Sequence, residues 1–325
     1  MLFVSLLFAF LSSCSESTVS DKASRENAGE DAAYPVEDTT DELTEPSTST
    51  PAASSAREPT QNSSTSPATG SSGMVSSANP LATQAGLEIL SEGGNAFDAA
   101  VAVAAALGVV EPMMSGIGGY GALVLYDAEE EQMRFLHASS RMPATVNPEV
   151  FRPPTPNYIE NRRGAKAIST PGNANAWEAL YRDYGELGWQ RLFEPAIRLA
   201  EEGFPLSEIT AGWISSEFLA FPEHARDIYG KGGVPLRAGE TLVQEDLARS
   251  LRLIGEGGAR VVYEGEIGQA IDTTVRENGG FLTIDDLREN RAEWRDPTSM
   301  DYRGYEVVTA SPRPPRGALS SGSGS

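Results

Sequence analysis

The sequence predicts a mixed α+β fold for the part of the chain that begins at Met74. Three observations carry this prediction: a helical segment without a single polar residue, a glycine-rich loop that leads into a hairpin, and a long block of helical periodicity followed by a strand. Strands and helices do not alternate regularly along the chain, so the pattern favours an α+β arrangement over a parallel sheet built from βαβ units.

The first fourteen residues predict a signal peptide. The run from Met1 to Leu11 is apolar and uncharged, and it is too short to span a bilayer, which needs about 20 residues. The stretch Leu11-Ser-Ser-Cys14 resembles the bacterial lipoprotein signal, although the Lys or Arg usual after Met1 is missing. This resemblance implies a lipid on Cys14 and a place in the bacterial cell envelope, at the outer membrane or the periplasmic face. The alternative is a cytoplasmic protein with a chance apolar start and a buried cysteine.

Residues 15–73 predict a disordered, acidic tether. Of these 59 residues 22 are Ser or Thr, and the only Val, Ile, Leu or Phe side chains are Val19, Val36 and Leu43. So few apolar side chains cannot bury enough surface to offset the entropy of ordering the chain. We therefore expect the folded region to follow this segment.

The first two helices are predicted from their ends. Asn79 is a favoured N-cap, and Pro80 after it is tolerated in the first turn because its missing N–H needs no partner there. The pair Gly93–Gly94 ends this helix. Asn95 caps the second helix, and Asp98 places a carboxylate near the positive helix end.

The second helix is predicted to lie in the centre of the core. No polar residue occurs from Ala99 to Val110, and a helix that is apolar on all sides is buried on all sides. The glycine-rich loop from Ser115 to Gly121 and the strands 122–126 and 133–136 then predict a hairpin. A dinucleotide-binding loop is excluded because that motif follows a strand and precedes a helix, and here the order is reversed.

Beyond Arg141 the apolar spacing is mostly helical, and residues 302–309 predict a late strand. We interpret the apolar stripes as core rather than as cofactor contacts. The predicted helical faces are Trp177, Leu180, Tyr181 and Tyr184; Leu192, Ala196 and Leu199; Leu247, Leu251 and Ile254; and Ile267, Ile271 and Val275.

The composition excludes several function classes. The 46 acidic residues outnumber the 25 basic ones, so the clustered cationic surface that nucleic acids require is missing. Cys14 is the only cysteine, which excludes an intramolecular disulfide, a thiolate metal site and a cysteine nucleophile in the body. The two histidines, His137 and His224, form no zinc-binding motif, and a Gly-x-Ser-x-Gly sequence is missing. We expect no metal and no nucleic-acid partner.

Six short motifs, in this order and at these spacings, resemble the γ-glutamyltranspeptidase family. The resemblance runs from about Met74 to Thr309, and we assign residues 74–312 to the large-chain region of that family. The motifs are Glu92–Ala102 (EGGNAFDAAVA), Gly116–Gly119 (GIGG), Ser169–Gly172 (STPG), Tyr263–Gly265 (YEG), Asn278–Gly280 (NGG) and Asp301–Tyr305 (DYRGY).

The resemblance implies an N-terminal-nucleophile hydrolase fold, an αββα sandwich of which this chain holds only the large-chain part. In that family a precursor cuts itself into a large and a small chain, and the new N-terminal Thr of the small chain is the nucleophile. Its free α-amino group serves as the base, so no metal or redox cofactor is needed. The implied partners are a γ-glutamyl substrate, such as glutathione, and the small chain of the same precursor. Water or an amino acid accepts the γ-glutamyl group.

The predicted substrate-binding residues are Arg141 and Ser139. In the family an Arg of the large chain holds the substrate α-carboxylate, in an Arg-Glu-x-Ala-Pro context. Alignment on Pro143 places Ser139 at that position and Arg141 two residues later, an offset of about 7 Å along a strand. Either a bulged loop lets Arg141 bind the carboxylate, or this branch of the family binds a substrate with another acyl group. A third alternative is that Arg141 is an ordinary surface residue.

We expect the family pattern to stop at Pro312 and residues 313–325 to form a low-complexity tail outside it. Since the catalytic residues of the family belong to the part that follows, we expect no catalytic residue in this chain. We further expect a chain truncated by a frame shift, inactive alone and poorly folded. Two alternative functions stay open: a non-catalytic cell-surface binding module, and an acylase for other side-chain amides, similar to cephalosporin acylases.

Overall fold

The computed structural model describes residues 68–138, 141–151 and 163–311. The predictions for Cys14 and Ser139, for most of the tether and for the tail fall outside these ranges. The helices are α1 (Pro80–Ser91), α2 (Ala96–Val110), α3 (Asn173–Tyr184), α4 (Glu194–Glu202), α5 (Glu208–Glu217), α6 (Glu223–Tyr229), α7 (Glu245–Gly257), α8 (Arg260–Tyr263), α9 (Glu266–Glu277) and α10 (Ile284–Glu289). The strands are β1 (Gly121–Asp127), β2 (Gln132–Ala138), β3 (Phe204–Pro205), β4 (Gly230–Lys231), β5 (Val234–Pro235), β6 (Thr241–Leu242), β7 (Glu293–Arg295), β8 (Thr298–Tyr302) and β9 (Tyr305–Thr309).

Helices α1 and α2 begin where their caps predict. The side chain of Asn79 accepts a hydrogen bond from the N–H of Leu81 (3.0 Å). At α2 the Asn95 side chain accepts from the N–H of Asp98 (3.0 Å), and the Asp98 carboxylate accepts from the N–H of Asn95 (3.1 Å). This reciprocal pair satisfies two N–H groups that the helix itself leaves unpaired.

Helix α2 forms the centre of the core. Every residue from Phe97 to Val110 is buried, which confirms the prediction from the apolar run. The helix packs against α1, α3 and α4. Within the described ranges, no helix combines the length and the apolar character needed to cross a membrane.

The predicted helical block is confirmed in α3, α4, α7 and α9, with one interruption. Leu192 lies in the 3₁₀ turn Trp189–Phe193, and α4 begins only at Glu194, one residue before Pro195. A proline has no N–H for the carbonyl of the preceding turn, so one α-helix cannot run continuously through Leu192 and Ala196.

The largest sheet of the described residues has three antiparallel strands in the order β1-β2-β7. The predicted hairpin is confirmed, with Gly121 opposite Ala138. One face of the sheet carries Leu123, Leu125 and Leu136, which join the core with α2 and α3. Because side chains alternate between faces, the opposite face carries Phe135, His137, Glu293 and Arg295.

The late strand predicted at 302–309 is wrong in its first half. Tyr302 ends β8 and Tyr305 begins β9, so the chain reverses direction between them. Arg303 and Gly304 have φ angles of +55° and +81°, which are typical of the tight turn that joins two antiparallel strands. Together, the helices and the sheet confirm the predicted α+β class.

Candidate functional site

Two of the motif segments, 116–119 and 169–172, meet at the end of strand β2. The carbonyl of Gly119 accepts hydrogen bonds from the N–H groups of Gly172 (2.8 Å) and Asn173 (3.0 Å). The Asn173 side chain donates to the carbonyl of Gly116 (2.7 Å). A Cβ atom on Gly172 would lie 2.0 Å from the carbonyl oxygen of Ala138, so only glycine fits there. These contacts hold the glycine loop and the start of α3 against the end of β2.

Asn290 attaches the segment before β7 to this assembly. Its buried side chain donates to the carbonyl of Pro171 (2.5 Å), and its carbonyl accepts from the side chain of Asn175 (2.9 Å). The N–H of Asn175 donates to the hydroxyl of Tyr263 (3.1 Å). Burial raises the pKa of Tyr263, against the smaller effect of this hydrogen bond, so the phenol stays neutral and acts as a structural partner.

Arg141 follows the end of β2 and is anchored through both its backbone and its side chain. Its carbonyl accepts from the N–H of Thr170 (3.0 Å). Its guanidinium donates from Nη2 to Oε1 of Glu293 (2.7 Å) and from Nη1 to the carbonyl of Glu289 (3.5 Å). The side chain is 25% exposed. The substrate contact predicted for Arg141 stays a prediction, as does that for Ser139.

Glu293 is shared between two arginines. Its Oε2 accepts a hydrogen bond from Nη2 of Arg295 (2.5 Å), while Oε1 is bonded to Arg141. The hydrogen bond from Arg295 lowers the pKa of Glu293, and the charges of Arg295, Arg141 and His137 act in the same direction. Burial opposes these effects. The carboxylate is therefore ionised at neutral pH, and the cluster holds two guanidinium groups for one carboxylate.

Within the part of the chain that the structure describes, four buried side-chain atoms make no hydrogen bond: Oδ1 of Asn290, Nη1 of Arg191, the hydroxyl oxygen of Thr170 and Nη1 of Arg295. The last two belong to residues that are bonded to Arg141 or Glu293. A buried donor without a partner is unfavourable, so both atoms are available to a bound polar group.

Sequence reasoning missed Glu293, Arg295 and Asn290. The alternation Glu293-Trp294-Arg295 is the local signal for a strand with one charged face, but three residues are too few to predict a strand. Nothing local indicates that this face meets Arg141. Across the described ranges, no three His, Cys, Asp or Glu side chains converge as metal ligands.

Known proteins resemble this chain in both sequence and structure. The model of the gamma-glutamyltranspeptidase family matches residues 82–321. The glutathione hydrolase-like YwrD proenzyme of Bacillus subtilis is 40% identical over 245 residues, which are 75% of this chain and 46% of the relative. The acylase ACY 1 proenzyme of Pseudomonas sp. (strain V22) is 39% identical over 259 residues, which are 77% of this chain and 46% of that relative. The chain thus spans less than half the length of these two curated relatives.

The crystal structure of Helicobacter pylori gamma-glutamyltranspeptidase superposes with a TM-score of 0.72 at 32% sequence identity. The match covers 76% of this chain and 72% of that chain. This similarity confirms the N-terminal-nucleophile hydrolase fold that the motifs imply, in its large-chain portion. The chain belongs to the γ-glutamyltranspeptidase family.

Proposed function

We propose that this chain is the large-chain part of an enzyme that hydrolyses γ-glutamyl amides, such as glutathione, or transfers their γ-glutamyl group. The observation that carries the proposal is the position of the Arg141 guanidinium. The Arg141 backbone is bonded to Thr170, next to the segment that holds the glycine loop at the end of β2, and the guanidinium is directed to Glu293 of β7. A guanidinium group suits the planar carboxylate of an α-amino acid.

The covalent step belongs to the small chain in this proposal. The hydroxyl of its N-terminal Thr attacks the γ-carbonyl carbon, the new C–O bond forms and the C–N bond breaks. The proton of the hydroxyl passes through the α-amino group to the leaving amine. Water or an amino acid then takes the γ-glutamyl group from the Thr. The present chain holds the α-carboxylate and thereby places the γ-carbonyl in reach of the nucleophile.

The hydrolysis of γ-glutamyl-p-nitroanilide by the complete, processed protein tests this function. We expect Arg141→Ala to raise KM about 10- to 100-fold, because a charge-assisted hydrogen-bonded pair contributes about 1.5–3 kcal/mol. Arg182→Ala is the matched control, since Arg182 is an exposed arginine paired with Asp183 on helix α3. A KM that Arg141→Ala leaves at its original value would remove Arg141 from the substrate site and direct attention to Ser139.

A second function is supported by the offset of Arg141 from the family position and by the similarity to an acylase proenzyme. In this alternative the enzyme removes another carboxylate-bearing acyl group, such as glutaryl, from a side-chain amide. Glutaryl-p-nitroanilide differs from γ-glutamyl-p-nitroanilide only in lacking the α-amino group. A higher kcat/KM for the glutaryl compound favours the acylase, and a higher value for the γ-glutamyl compound favours the γ-glutamyltransferase.

A further inference from the structure

The charged cluster beside Arg141 is arranged on one face of strand β7. Glu293 and Arg295 are two residues apart, so both side chains leave the strand on the same side. His137 of β2 lies opposite Glu293, and Phe135 lies opposite Arg295. The other face of the same strands carries Leu136 and packs against the helices. The cluster therefore occupies the face of the sheet that points away from the core.

The cluster has an excess of positive charge. Arg141 and Arg295 each donate to a different oxygen of Glu293, so a single carboxylate balances two guanidinium groups. His137 is buried next to Glu293 and adds no negative charge. In a chain with a net charge of −21, such a concentration of positive charge attracts an anion.

The three side chains differ in exposure. Among the described residues, the side chain of Glu293 is 39% exposed, compared with 25% for Arg141 and 20% for Arg295. The two arginine side chains are thus less exposed than the glutamate that joins them. A ligand carboxylate that binds both arginines would take the place of the Glu293 carboxylate.

Two atoms of the cluster are left for such a ligand. Nη1 of Arg295 is buried and has no hydrogen-bond partner among the described residues, although both oxygens of Glu293 are engaged. The hydroxyl of Thr170 is also buried without a partner there, and the N–H of the same residue is bonded to the carbonyl of Arg141. Glu293 alone does not satisfy the donors of the site.

We propose that Arg141 and Arg295 form one carboxylate-binding site and that Glu293 occupies it as an internal competitor when no substrate is bound. The incoming ligand is the carboxylate of a γ-glutamyl or glutaryl group, so the identity of the ligand rests on the proposed function. Binding requires Glu293 to turn away from the arginines. Glu293 therefore lowers the affinity for the substrate, and Arg295 contributes to it as a second binding residue.

Charge removal at Glu293 tests the inference. Glu293→Gln keeps the size of the side chain and removes its charge, so we expect KM for γ-glutamyl-p-nitroanilide to fall about three- to tenfold. Arg295→Gln should raise KM about tenfold or more. Glu201→Gln is the control, because Glu201 is also paired with an arginine, Arg252, but lies on α4. A KM that rises or stays the same in Glu293→Gln would overturn the inference.

Direct binding separates this inference from the proposed function. Isothermal titration of the complete protein with L-glutamate and with glutarate should give a lower Kd for Glu293→Gln and a higher Kd for Arg295→Gln. Tighter binding without turnover of either anilide would keep the carboxylate site and reject the proposed function. Turnover with the same Kd in both variants would reject the carboxylate site alone. Glu293→Asp keeps the charge and should lower KM less than Glu293→Gln does; a decrease in its KM as large as that of Glu293→Gln would contradict the competition by charge.

Discussion

Gly172 brings two segments of the site closer together than any residue with a side chain allows. It lies directly before α3, and its N–H donates to Gly119 of the glycine loop. Its φ angle of −121° is open to every residue type, so its backbone conformation does not require glycine. The requirement comes only from the Ala138 carbonyl, which a Cβ atom would meet at 2.0 Å.

We therefore predict that Gly172→Ala destabilises the protein by more than about 2 kcal/mol, because the end of β2 must move to admit the methyl group. Gly212→Ala is the matched control. Gly212 lies inside helix α5 with open space around its Cα, and alanine there should stabilise the protein by about 0.5–1 kcal/mol. Urea denaturation measures both free energies of unfolding. Equal effects of the two changes would contradict the close approach at Gly172.

At the scale of elements, Asp98 connects helix α2 to the chain segment that follows α3. Its carboxylate accepts the N–H of Asn95 within the cap, and it also accepts the N–H groups of Glu186 and Leu187 (3.1 and 3.2 Å). The side chain is completely buried. One residue thus fixes both the start of the central helix and the loop that packs against it.

Asp98→Ala should cost about 3 kcal/mol or more of unfolding free energy, because it leaves several buried N–H groups without a partner. Asp286→Ala provides the comparison. Asp286 forms the same reciprocal cap with Thr283 at helix α10, but it is only half-buried, so we expect a loss of about 1 kcal/mol. Thermal unfolding followed by circular dichroism distinguishes the two values. A smaller loss for Asp98→Ala than for Asp286→Ala would show that burial does not strengthen this cap.

The sequence predicts those elements whose signals are local. Caps and apolar spacing were sufficient for α1, α2 and the hairpin of β1 and β2. Strand β7 has three residues, too few for a periodic pattern, and it forms because β2 pairs with it from far along the chain. The site is missed because its contacts are also distant in the sequence. The resemblance identifies Arg141, but Glu293, its partner, is 152 residues away. The turn at Arg303 was missed because arginine rarely adopts a positive φ.

At the scale of the whole molecule, the described part of the chain has the large-chain fold of its family. The N-terminal 67 residues are not among the described residues. We propose a lipid anchor in those residues, because an apolar run precedes Cys14 and an acidic segment follows it.

We predict that the mature protein begins at Cys14 and carries a lipid there. Mass spectrometry of the N-terminal peptide measures both properties, and Cys14→Ser should leave the signal peptide uncleaved and the lipid mass missing. Ser13→Ala, which keeps a small residue before the cysteine, is the control and should leave the modification intact. An intact Met1 in the original protein, or cleavage elsewhere without a lipid mass, would contradict the prediction.

The hydrogen bonds of Asn290 have a consequence for the motions of the site. They join Asn290 to Pro171 and Asn175, which are 119 and 115 residues away in the sequence, and they belong to neither a helix nor a strand. An opening fluctuation that separates these segments must break both bonds together, so we expect the backbone amide hydrogens of the described segments to exchange with the solvent as one cooperative unit. In that case the rearrangement that we propose for substrate binding would consist of rotations of the Arg141, Glu293 and Arg295 side chains, on the timescale of rotamer changes.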